Sequence, residues 1–291
     1  ITLIIVKVNK RLIFYMTKFQ WSDPFLLEEQ LSLEEKMIMR TANQYSQEKL
    51  FPRIKSAWKN ETMDKSIFHE MGELGLLGCT LPEEYGGINA NYVSYGLIAR
   101  EIENVDSSYR SMMSVQSSLV MHPIYAFGSN LQKEKYLPKL AKGEFIGCFG
   151  LTEPNFGSNP GGMSTRCVRD GDDWIINGNK IWITNGTLAD VALVWARDEE
   201  GVVRGFLLEK GMDGFTSSDI HGKLSLRASV TSELSMANVR VPDSSRLPNI
   251  EGLKGPLSCL TQARYGIAWG MVGASVDCYN TALEYSKERK Q

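Results

Sequence analysis

The chain has 291 residues, 43% of them hydrophobic and 23% charged, which suits two or three globular domains and excludes a disordered tail. Lysine plus arginine total 32 against 34 aspartate plus glutamate, a net charge of −2, so the basic excess that phosphate-backbone binding requires is missing and nucleic acid is not an expected partner. No stretch reaches the ~18 to 20 apolar residues of a membrane span.

Residues 1–24 read as a leader or disordered segment. Lys7, Lys10, Arg11 and Lys18 occur there with no acid before Asp23, beside the apolar run Ile1 to Val6. This suits an organelle transit segment or translation upstream of Met16. Residues 25–146 read as a helical domain. Ser32 with Glu35 forms a capping box opening a helix toward Leu50, and Ser129 with Gln132 opens a short one expected to stop near Leu137, because Pro138 follows. Between them, residues 64–77 and 92–105 carry apolar side chains three and four apart. Residues 81–87 form a Pro/Gly-punctuated loop without phosphate-cradle spacing.

Residues 147–250 change to short β-rich runs. Asn177-Gly178 and Asn185-Gly186 are hairpin cues, Gly201 separates Val202 from Phe206-Leu207-Leu208, and residues 239–241 close a β-barrel or sandwich. Residues 251–291 begin a C-terminal helical domain with a long helical pattern from about Leu257 to Lys290. A single amphipathic helix cannot bury its own apolar face, so either the first domain covers it or bundle partners are missing from this sequence. Five cysteines (Cys79, Cys148, Cys167, Cys259, Cys278) without CxxC spacing and three scattered histidines (His69, His122, His221) indicate neither a disulfide scaffold nor a metal site.

Four strings in order carry a resemblance. Cys148-Phe149-Gly150-Leu151-Thr152-Glu153-Pro154-Asn155-Phe156-Gly157-Ser158 resembles the flavin-contacting segment of the acyl-CoA dehydrogenases. Asn177-Gly178-Asn179-Lys180-Ile181-Trp182-Ile183-Thr184-Asn185 resembles that family's NGxKxWITN pattern, and residues 81–87 and Arg264-Tyr265-Gly266-Ile267-Ala268 fit it as well. Together they cover about residues 25–291. Tyr109-Arg110-Ser111-Met112-Met113-Ser114 through His122-Pro123 is similar to the glutaryl-CoA-oxidising branch. Asn159 departs from the family's usual Asp. The resemblance implies an N-terminal all-α domain, a middle β domain and the start of a C-terminal helical bundle.

The resemblance implies bound FAD contacted by Phe149, Leu151, Thr152, Gly157, Ser158, Trp182, Ile183, Thr184 and, across a subunit boundary, Arg289. Glycine in the loop permits close main-chain approach, and preorganised N–H groups and hydroxyls suit the charge of a reduced flavin. It also implies an acyl-CoA substrate held by Arg110, Ser111, Ser158, Leu257, Leu260, Thr261 and Arg264. The resemblance further implies that Arg110 contacts the distal carboxylate of glutaryl-CoA, a role that suits a planar guanidinium able to bind a carboxylate bidentately, with Glu103 able to orient it if one helix spans both. Tyr109, Met112 and Met113 read as pocket wall or core. The implied reaction is oxidation and decarboxylation of glutaryl-CoA to crotonyl-CoA and carbon dioxide. Electrons would pass to electron-transferring flavoprotein in the mitochondrial matrix, and a homotetramer is implied.

Glu153 is not the expected base, since the resemblance places it in a structural loop. The family's glutamate base has no counterpart up to Gln291, so little turnover is expected from this polypeptide alone. Two alternatives remain at this point: a short-chain acyl-CoA oxidase and a non-catalytic truncated subunit.

Overall fold

The computed structural model describes the backbone of residues 2–8, 11–17, 23 and 25–291, and side chains of 23 and 25–291. The expected leader lies largely outside the described residues. Thr2–Val8 (β1) and Arg11–Thr17 (β2) pair as an antiparallel ribbon.

The helical domain opens at the expected capping box. Ser32 Oγ accepts from Glu35 N and Glu35 Oε2 accepts from Ser32 N, starting Leu33–Tyr45 (α1). The helix does not end at Leu50. It passes through one π-helical turn, Ser46–Leu50, into Phe51–Asn60 (α2). Ser66–Glu73 (α3) and Tyr92–Glu103 (α4) fall where the apolar spacing put them. Ser107–Ser114 (α5) runs through π-helical Val115–Met121 into His122–Phe127 (α6).

Asn130–Ala141 (α7) starts at the Ser129/Gln132 box but continues past Pro138, correcting the expected stop at Leu137. The ring forfeits one hydrogen bond near the helix end, whereas the extra turn buries Leu140 and Ala141 against the core, and burial outweighs the loss.

The β domain is one curled seven-stranded sheet, a half-barrel. Its path is Gly147–Gly150 (β3), Val191–Arg197 (β6), Arg166–Asp170 (β4), Asp173–Thr184 (β5), Thr231–Pro242 (β9) and Phe215–Asp219 (β8), with Val203–Glu209 (β7) paired to β6. β6 is buried on both faces. One side packs on Leu137 and Leu140 of the helical domain, and the other enters the half-barrel with Leu234, Met236 and Val239.

The Asn177-Gly178 hairpin does not form, because β5 runs straight through it. The β5–β9 register slips there, with Asn238 at φ 54 as the extra residue on β9 and bonded to Asn177. Gly178 is needed for close approach instead: a Cβ there would press on Thr165. Asn185-Gly186 does turn the chain, but β5 and β6 are not hairpin neighbours, since β4 lies between them.

Lys254–Glu288 (α8) packs against α4, with Tyr265 and Trp269 in the helical-domain core. Thus the first domain covers part of this helix. A second apolar stripe, including Ile267, Met271, Val272, Val276 and Tyr279, is exposed. Among the described residues no helix is long and apolar enough to cross a membrane, and no metal-binding group of His, Cys, Asp or Glu assembles.

Candidate functional site

The two loops of the family-like strings meet where the half-barrel faces the helices. Residues 151–158 follow β3, and residues 182–184 end β5. A cavity of about 280 Å³ opens between them and the helical domain. It gathers Phe149, Leu151, Thr152, Gly157, Ser158, Trp182, Ile183 and Thr184 from the β domain and Leu257, Leu260 and Arg264 from α8. Val115, Leu119 and Pro160 also line it and were not read from the sequence.

Strict alternation would have put only Trp182 and Thr184 on one face. A bulge between Lys180 and Ile183 adds one residue to β5, and all three of residues 182–184 reach the cavity. Trp182 adopts φ 63, a left-handed conformation that costs a non-glycine residue roughly 1–2 kcal/mol, and its side chain remains 58% exposed at the cavity rim.

The lining is apolar on the helical side and polar at the loops. The hydroxyls of Thr152, Ser158 and Thr184 make no hydrogen bond among the described residues, so they are available to a ligand. A Cβ on Gly157 would meet nothing within 4 Å, so that loop faces open space. Arg264 is the one charged lining residue among those described.

Behind the loops lies an ion pair that sequence reasoning missed, although both residues stand in the quoted strings. Lys180 Nζ donates to Glu153 Oε1 at 2.8 Å and to the Leu151 carbonyl at 3.1 Å. Both side chains are almost wholly buried. Ser164 donates to Glu153 Oε2 through N and Oγ, and Thr165 N donates to Oε1. Burial alone would raise the Glu153 carboxyl, but these donors hold it down at about 2. Burial pushes the Lys180 ammonium down to about 8, against the pull of Glu153. Glu153 thereby ties its loop to β5 and to the start of β4.

Four expected contact residues lie outside the cavity lining. Arg110 is buried, its Nε donating to Glu103 Oε2 at 2.6 Å and Nη2 to Oε1 at 3.3 Å. The pair does not share one helix. α4 ends at Glu103 and α5 starts at Ser107, whose hydroxyl also donates to Glu103. Ser111 is half-buried on α5. Thr261 points away, its hydroxyl donating to the Leu257 carbonyl one turn back. Arg289 sits exposed at the end of α8, on the Tyr285 ring and hydroxyl. Tyr109, Met112 and Met113 are core, one of the two roles expected for them.

The architecture is a helical domain, a curled half-barrel and a long C-terminal helix, with the cavity where the half-barrel faces the helices. The acyl-CoA dehydrogenase N-terminal domain matches residues 32–144 and the acyl-CoA dehydrogenase middle domain residues 148–239. The chain is 34% identical over 267 residues to a short-chain specific acyl-CoA dehydrogenase of Clostridium acetobutylicum, covering 90% of this chain and 70% of that one. A crystal structure of a glutaryl-CoA dehydrogenase from Mycobacterium smegmatis in complex with FADH2 superposes with a TM-score of 0.90 at 50% identity, covering 92% of this chain and 69% of that one. Butyryl-CoA dehydrogenase from Megasphaera elsdenii gives 0.86 at 33%, covering 90% and 70%. The chain belongs to the acyl-CoA dehydrogenase family.

Proposed function

We propose that this chain binds FAD and a carboxylate-bearing acyl-CoA, glutaryl-CoA, and forms part of an enzyme that oxidises and decarboxylates it. The cavity fits a flavin: an exposed indole at its rim, three unbonded hydroxyls, open space over Gly157 and an apolar wall from Leu257 and Leu260. A bound flavin supplies the two-electron acceptor for the β-hydride of the thioester. Thr152, Ser158, Thr184 and the nearby main chain would hold it through hydrogen bonds, with Trp182 at the cavity rim as the aromatic neighbour. Arg264 provides the cation for an anionic carrier such as coenzyme A.

Removing the α-proton needs a base, and no carboxylate lines the cavity among the described residues. The base is therefore assigned to a residue other than these. The electron acceptor proposed is electron-transferring flavoprotein, and the exposed apolar stripe of α8 supports assembly into a homotetramer. The basic, acid-free stretch before Asp23 supports the mitochondrial matrix as the compartment.

The observation that carries the substrate is Arg110. It is a buried guanidinium whose Nη1 makes no hydrogen bond among the described residues, one turn from Ser114 and next to the π-helical turn that brings Val115 and Leu119 into the cavity. Glu103 fixes two of its donors and leaves the others for a second carboxylate. Titration of the full chain with glutaryl-CoA and butyryl-CoA tests this. Arg110→Lys keeps the charge but not the planar fork, and should weaken glutaryl-CoA about tenfold while leaving butyryl-CoA within about twofold. Equal losses overturn the assignment.

A further inference from the structure

We propose that the buried Lys180–Glu153 pair is a positioning device that sets the distance between the two loops of the cofactor cavity. This rests on the flavin reading above and deepens it. The ammonium of Lys180 grips the 151–158 loop at two points that flank Thr152: the Leu151 carbonyl and the Glu153 carboxylate. Between those points, Ile181 N donates to the Thr152 carbonyl at 2.9 Å. The main chain on either side of Thr152 is thus clamped to β5, while its hydroxyl makes no hydrogen bond among the described residues and the residue lines the cavity.

The same strand carries the other half of the site. Two residues beyond Lys180, the bulge turns Trp182 to φ 63, and Ile183 and Thr184 follow along the cavity. A left-handed tryptophan persists only where its surroundings over-determine it. The clamp on one side and the β9 pairing of Ile183 and Thr184 on the other supply that constraint. Glu153 is in turn tied through Ser164 and Thr165 to the start of β4, so the pair, whose own two side chains are buried, connects three segments. A buried ion pair is weak evidence for stability, because apolar replacements of both partners often serve as well. Two charges placed behind a ligand loop are better explained by the register they fix.

The test separates stability from positioning. Lys180→Met and Glu153→Gln each strand one buried charge and should lower the melting temperature by about 10 °C. The Lys180→Met/Glu153→Gln double variant removes both charges and should melt near the parent. Positioning predicts that this double variant still binds FAD about tenfold or more weakly by flavin fluorescence titration. It also predicts faster hydrogen exchange at the Ile181 amide in the flavin-free chain. Recovery of both flavin affinity and Ile181 protection in the double variant overturns the proposal. If the parent chain takes up no FAD, the functional reading fails by itself. The clamp is then judged on Ile181 exchange alone, where lost protection supports it and retained protection overturns it.

Discussion

Replacing Gly270 with alanine probes the helix crossing that seals the Glu103–Arg110 pair. A Cβ at Gly270 would lie 1.7 Å from Glu103 Oε2 and 3.2 Å from Arg110 Nε. An ordinary contact needs about 3.5 Å, so something must move by nearly 2 Å. α8 is not free to lift, because Gly273 lies over the Arg100 carbonyl and the Trp269 ring over Gly96. The Glu103 carboxylate gives way instead, leaving the buried Arg110 without its partner. Breaking a buried pair costs about 3–5 kcal/mol, and the helix propensity of alanine offsets about 1 kcal/mol, for a net loss of about 2–4 kcal/mol. In a chain of this size that lowers Tm by roughly 5–15 °C, readable by scanning calorimetry. Melting at or above the parent temperature, as helix propensity alone requires, would refute the reasoning.

Two further outcomes follow from the buried groups. The Glu153 carboxyl is held at about 2 in the folded state against an ordinary 4.5, so its stabilisation is complete above pH ~4.5 and is lost as pH falls toward 2. The shift corresponds to about 3 kcal/mol. Urea midpoints measured from pH 6 to 2.5 should fall less steeply in Glu153→Gln than in the parent, and parallel curves would count against the pair. Cys79, Cys148, Cys167 and Cys259 are buried, with thiols that burial pushes up to about 12, whereas Cys278 is exposed. A thiol-reactive dye should therefore find one fast-reacting cysteine per folded chain and five in denaturant; a second fast thiol would contradict this burial pattern.

Features written within a few residues were legible in the sequence. Both capping boxes formed as read, since a serine hydroxyl and a glutamate or glutamine three residues on satisfy each other locally. The change from helical to alternating apolar spacing at Gly147 marks the start of β3. Eleven residues singled out for cofactor or substrate line one cavity, because the two strings that carry most of them are short and rigidly placed at strand ends.

Tertiary structure decided whatever depends on residues distant in sequence. The turn chemistry of Asn177-Gly178 is real, but β9 and Thr165 lie where a hairpin would have gone, and the same glycine serves close packing instead. Pro138 has the chemistry of a helix stop, and the core beneath Leu140 overrode it. The bulge that brings Trp182, Ile183 and Thr184 to one cavity exists only because β5 is paired with β9 one residue out of step. Glu103 and Arg110 sit on separate helices, and Lys180 and Glu153 stand 27 residues apart. Each pair forms because a charge taken out of water is costly unless an opposite charge and hydrogen bonds compensate it. Local spacing therefore fixed which groups the chain carries, and long-range packing chose which of them face the cavity and which hold it in shape.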